Sequence, residues 1–124
     1  ENFPSSFRKA TTFFESKSVY AHSLTLATAR LLTGRTHQIR VHSAIDLNTG
    51  VFGDRVYNRP RDLPSRFPLE VKRALESVNR QLLHAHKLEF EHPQTGKHIH
   101  VTAPLPGDFK KILTLLEPFG ITDL

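Results

Sequence analysis

At 124 residues, with 38% hydrophobic side chains and nine Phe, the chain has apolar material for one modest core and too little for two. It has no Cys, which excludes a disulfide framework and thiolate metal sites, and no run nears the roughly 18 apolar residues of a membrane span. Residues 1–124 are therefore expected to form a single soluble, cytoplasmic domain. Seventeen Lys and Arg against twelve Asp and Glu leave a net charge of +5 beside eight His, a surface that favours polyanions but that solubility alone also explains.

Residues 10–15 and 19–32 are rich in β-branched and aromatic residues with partial alternation, which predicts two antiparallel strands turning at Ser16–Ser18. Thr33-Gly34 breaks the second strand. Thr36 is then a plausible N-cap for a helix from about His37 to Leu47, closed by Asn48 and Gly50. Gly53-Asp54, Asn58, Pro60 and Pro64 mark a surface connection, and a short amphipathic helix is expected near Leu69 to Val78. Leu82 to Glu91 and Lys97 to Thr102 alternate on either side of His92-Pro93-Gln94-Thr95-Gly96, which is a β-hairpin pattern. Pro106 and Asp108 open a last helix whose Phe109, Ile112, Leu113 and Leu116 fall on one face, and Pro118 ends it.

The densest polar cluster runs from Thr33 to His42 (TGRTHQIRVH) at a strand-to-helix turn. Free N–H groups and the helix dipole favour an anion there, and Gly34 lets the backbone come close. Arg40, one turn into the helix, can reach back to a carboxylate in a cleft. On spacing alone the better reading is that these are solvated helix-surface residues, since a basic strand-to-helix turn is common.

Four imidazoles, His84 and His86 on one strand and His98 and His100 on the other, could converge across the hairpin. His at alternate positions of an exposed strand more often faces solvent or RNA, so no metal site is expected. No nucleophile stands in a G-x-S-x-G context. The carboxylates Asp46, Asp54, Asp62, Asp108 and Asp123 are scattered, with Asp54 and Asp108 reading as turn or helix caps.

The string GRTHQIRVH, Gly34 to His42, resembles the signature of the RluA-type pseudouridine synthases, which isomerise uridine in ribosomal or transfer RNA. Gly53-Asp54 with Tyr57 resembles that family's GD-x-x-Y. Arg80 to Ala85 (RQLLHA), then Leu88, Phe90, His92-Pro93 and Thr95-Gly96, continue the likeness, and Ala103-Pro104-Leu105-Pro106 with Asp108-Phe109 closes it. Blocks in this order are far more specific than any single motif.

The resemblance implies an α+β fold: a mixed, largely antiparallel sheet with flanking helices, binding RNA in a basic cleft and flipping out a uridine, without metal or organic cofactor. It makes Arg40 the ion-pair partner of a catalytic Asp in an HRLD-type motif, which is absent from these residues, as is the motif carrying the family's base-stacking Tyr. The chain would then be a C-terminal part of the catalytic domain, lacking the N-terminal half of the sheet, and inactive by itself. Arg35, Thr36, His37 and Gln38 would line the RNA side. Leu82 or Leu83 would wall the uridine pocket, or be an ordinary core leucine. The stretch Arg59 to Asn79 is longer than many relatives need. An RNA-binding module without catalysis is the alternative function.

Overall fold

The computed structural model describes residues 9–58 and 62–121; Arg59, Pro60 and Asp123, named above, lie outside them. The fold is α+β. Strand β1, Thr12–Tyr20, pairs antiparallel with β2, Leu24–Leu31. A short β5, Gly120–Ile121, lies on the other side of β1, giving the order β2-β1-β5. A second sheet is the antiparallel hairpin of β3, Lys87–Glu91, and β4, His98–Thr102. The helices are α1, Gln38–Val41, which continues as a π-helical turn His42–Asp46; α2, Leu69–Glu76; and α3, Gly107–Leu116. No helix among the described residues is long and apolar enough to cross a membrane.

The first hairpin departs from expectation in where it turns. Ser16 to Ser18 do not reverse the chain: the register slips there by one residue, a β-bulge, and the strand runs on to Tyr20. The reversal falls at Ala21 and His22, both at φ 53°, with the Ser23 N–H donating to the Tyr20 carbonyl at 2.9 Å. Two successive left-handed residues make a type I′ geometry, normally signalled by Asn-Gly. Ala21 tolerates it because it is tied in place, being buried and donating its N–H to the Phe119 carbonyl at 2.9 Å.

The helix after β2 starts close to the expected position, but Thr36 is not its cap. His37 occupies that position at φ 52°, without a side-chain capping bond. The helix ends through Asn48 at φ 54°, as its Asn-x-Gly ending suggested. Residues 82–86, expected in a strand, lie outside any strand. They are held by single bonds instead, such as the Leu82 N–H to the Phe52 carbonyl at 2.8 Å.

The core is built where β1 ends against two helices. Tyr20, Ala21, Phe67, Val71 and Leu75 of α2, and Ile112 and Leu116 of α3 are buried together. Leu82, Phe52, Leu63 and Leu113 pack on its border. Phe67 meets Phe119 edge to face at 5.1 Å between ring centroids, a geometry that adds to simple area burial. Val71 and Leu75 are spaced i, i+4, as are Ile112 and Leu116, so each helix turns one stripe inward.

Candidate active site

The loop leaving β2 is knotted by one buried side chain. Gln38 donates through Nε2 to the Thr11 carbonyl and Thr12 Oγ1, both at 2.8 Å, and its Oε1 accepts from Thr33 Oγ1 at 2.6 Å and from the Arg35 N–H at 3.0 Å. A primary amide has two N–H donors and two lone pairs on oxygen, so every bonding position of Gln38 is used. Thr33 Oγ1 in turn accepts from the Thr11 N–H at 2.9 Å. The amide thus welds the start of β1 to the end of β2 and fixes the curve that presents Gly34, Arg35, Thr36 and His37 to solvent. A Cβ at Gly34 would meet nothing within 4 Å, so that rim is open to an incoming backbone or phosphate. With only four α-helical residues before the π turn, the dipole has little length to act through, and attraction for an anion falls mainly to the side chains.

One helical turn on, Arg40 lies over Asp54. Its Nε donates to Oδ2 and its Nη2 to Oδ1, each at 2.9 Å, a bidentate fork that fixes both groups. The Asp54 side chain is fully buried and that of Arg40 is 13% exposed. Asp54 Oδ1 also accepts the backbone N–H groups of Val56 at 3.0 Å and Tyr57 at 3.3 Å. The Arg40 hydrogen bonds first, then those two N–H groups, outweigh burial and hold the carboxyl at a pKa of about 2. The same carboxylate raises the pKa of Arg40. Asp54 is therefore ionised at any physiological pH.

Tyr57 completes the group. The Arg40 guanidinium carbon stands 5.0 Å from its ring centroid, a cation–π contact. Its hydroxyl is 3.0 Å from Nδ1 of His37, whose ring meets it edge to face. What converges here is a fixed guanidinium, an ionised carboxylate, an aromatic ring and an exposed imidazole, under a basic loop.

The motif blocks are latched to one another in chain order. Arg40–Asp54 and His37–Tyr57 join the first to the second. Gly53, at φ +85°, sits against Arg80 so tightly that a Cβ would stand 2.0 Å from the Arg80 carbonyl oxygen, and only glycine fits. Arg80 grips Asp108 through Nε at 2.8 Å and Nη2 at 2.9 Å, and His84 and His86 both lie within 3.0 Å of the Ala103 carbonyl oxygen.

Among the residues singled out from sequence, Arg35, Thr36 and His37 are exposed on the loop; Arg35 also donates from Nε to the Lys9 carbonyl at 3.2 Å. Gln38, expected on the RNA side, is placed inside the loop instead, 5% exposed and with its amide fully engaged. Arg40 has a carboxylate partner within the chain. Leu82 borders the core and Leu83 is half-buried beside it in sequence. His84 and His86 do not converge with His98 and His100; they turn to Ala103. Asp54 does cap its turn, but its pairing with Arg40 had no local signal. The partners are 14 residues apart, across a helix end and a loop.

No family model matches the chain. Among curated proteins it is 42% identical over 87 residues to a ribosomal large subunit pseudouridine synthase D of Xanthomonas campestris, a match covering 70% of the chain and 26% of that protein. A ribosomal large subunit pseudouridine synthase C of Buchnera aphidicola is 40% identical over 111 residues, 88% of the chain and 32% of the relative. A chloroplastic RNA pseudouridine synthase 2 of Oryza sativa is 35% identical over 120 residues, again 88% of the chain, and 26% of that protein. The chain spans between 26% and 32% of the length of these relatives.

Proposed function

The chain belongs to the RluA-type pseudouridine synthases, and from that premise we propose that it is a C-terminal part of a catalytic domain that isomerises uridine to pseudouridine in ribosomal or transfer RNA. The observation that carries this reading is the Arg40–Asp54 fork beneath the exposed basic loop. A guanidinium has five N–H donors; Asp54 takes two of them and sets the plane in which the others lie. Those others are offered to a second carboxylate, the attacking Asp, contributed by residues outside this chain. Beside Arg40 that Asp stays ionised and oriented, as a nucleophile or base must at neutral pH.

Asp54 acts in this scheme as a positioning residue, working through Arg40. Arg35, Thr36 and His37 meet the RNA backbone, and Gln38 shapes the loop that carries them. Leu82 and Leu83 are the candidates for the apolar wall of the uridine pocket. Exposed Phe13, Leu31, Leu32, Ile45, Leu47, Leu88, Phe90 and Val101 supply apolar surface for the remainder of such a domain to cover. RNA is the partner.

The experiment is pseudouridine formation on ribosomal RNA by two proteins: this chain alone, and the chain preceded by a family segment carrying an HRLD motif. The chain alone is expected to be inactive and the joined protein active, with Arg40→Lys, which leaves a cation over the buried Asp54 but loses the bidentate fork, reducing its kcat by about tenfold or more while the fold is kept. Turnover by the chain alone, or an unaltered rate in the variant, defeats the assignment. A joined protein that binds RNA and never turns over makes the chain a binding module instead.

A further inference from the structure

The β3–β4 hairpin has two chemically opposite faces. Alternation along the strands puts Leu88, Phe90, Ile99 and Val101 on one side. Lys87, Glu89, Glu91, His98, His100 and Thr102 fall on the other, with Glu89 directly opposite His100 and Glu91 opposite His98. On this polar face His98 and His100 stack edge to face with centroids 4.4 Å apart. Both turn toward the same carboxylate: His100 Nδ1 is 2.9 Å from Glu89 Oε1, and His98 Nε2 is 3.7 Å from Glu89 Oε2. One donor atom from each of the three residues lies within 4.8 Å of the others.

An ion pair is a poor account of this trio. Glu89 and both imidazoles are more than half exposed, where a single carboxylate–imidazolium contact contributes little. Two imidazolium rings at this separation would repel each other. Neutral imidazoles have no such conflict: without metal His100 Nδ1–H donates to the carboxylate at 2.9 Å, and a shift to the other tautomer frees the lone pair of the same nitrogen for an ion that the carboxylate also faces. Two imidazole nitrogens and one carboxylate oxygen form a donor set suited to divalent zinc, nickel or copper. Bond lengths of about 2.0 to 2.2 Å set tetrahedral donors roughly 3.3 Å apart; the carboxylate contacts of 2.9 and 3.7 Å bracket that spacing, and with no donor pair beyond 4.8 Å the widest closes by at most about 1.5 Å.

We infer that the polar face of this hairpin binds one divalent transition-metal ion of the zinc class through Glu89, His98 and His100, leaving the remaining coordination positions to water. Glu91, opposite His98, adds a second negative charge beside the site. His84 and His86 take no part, being turned to the Ala103 carbonyl. The site stands apart from Arg40 and Asp54 in the sequence and is independent of the proposed chemistry.

The test is a titration of the whole chain, first with Zn²⁺ and then with Ni²⁺ as a paramagnetic probe, followed by amide and imidazole NMR. Saturation at one equivalent is expected, with shifts and broadening confined to residues 87–91 and 97–102. Affinity should fall at least tenfold in each of Glu89→Gln, His98→Asn and His100→Asn. It should also fall as the pH is lowered, because the metal competes with protons for imidazole. These side chains lie outside the core, so the variants keep the fold, which circular dichroism checks. Binding that does not saturate, broadening centred on other histidines, or a triple variant that binds as well as the parent overturns the site.

Discussion

Gly53 and the Arg80 carbonyl pack so closely that no side chain fits between them, and at φ +85° the glycine also holds a backbone conformation that L-residues resist. Gly53→Ala therefore faces two penalties at once. It is expected to destabilise the chain by about 2 kcal/mol or more, read as a shift in the urea midpoint. Gly34→Ala, with open space around its Cβ, should leave that midpoint unchanged. Equal effects of the two substitutions would mean the close approach is not real.

The Arg40–Asp54 pair makes stability depend on pH in a defined window. The folded-state pKa of Asp54, about 2, lies below the ordinary carboxylate value, so its contribution is complete above about pH 5 and is lost as the pH falls toward 2. The loss amounts to about 1 kcal/mol by pH 3. Asp108 and Glu15 are also held below the usual range by Arg80 and Lys17, but they are exposed, and salt screens them. Urea midpoints at pH 5 and pH 3 in high salt isolate the buried pair; identical stabilities there would contradict its description.

Gln38 offers a test of the loop. Gln38→Leu keeps the volume and removes all four bonds of the amide; Thr33 Oγ1 retains the Thr11 N–H and Thr12 Oγ1 retains His42 Nδ1, but the Arg35 N–H loses its acceptor, at a cost of about 1 to 3 kcal/mol. Amide hydrogen exchange should accelerate at Thr11 and Arg35 before it does elsewhere. Uniform acceleration across the chain would show that the glutamine does not act locally.

Binding to RNA should be weak and salt-sensitive. Each phosphate met by Arg35, or by Lys97, exposed where the second hairpin turns into β4, adds a slope of about −0.7 to −0.9 to the dependence of log affinity on log salt. Arg35→Ala with Lys97→Ala should flatten that slope with little change in sequence preference. A titration against an RNA hairpin at several salt concentrations measures it, and an unchanged slope in the double variant would reduce the basic surface to a solubility feature.

The second hairpin and the last helix were legible because period-two and 3.6-residue patterns stood beside clear turn residues, as at Thr95-Gly96 and Pro106. The first turn was not. Its signal would have been Asn-Gly, and Ala21-His22 hold the left-handed region only through the bond to Phe119, which is distant in sequence. Strand β5 was missed for the same reason, since two residues carry no period. At the site, Arg40 and the loop were visible as a motif. Asp54 looked like a turn cap, and Gln38 like a surface residue, because side-chain partners drawn from other elements leave no trace in local spacing.

Helix α2 lies in the stretch between the GD-x-x-Y and RQLLHA blocks, which carries no motif, and yet Val71 and Leu75 are buried in the core. Abundance and activity are thereby written in different parts of the sequence. Leu75→Ala, costing about 2 to 5 kcal/mol, should deplete the protein in cells while the molecules that remain keep an intact Arg40–Asp54 fork. Arg40→Lys, which keeps a cation beside the buried Asp54, should instead leave abundance near normal and the molecules slow. A library scored separately for yield and for turnover would then split into two maps, with the motif-free segment around α2 prominent in the first and nearly blank in the second.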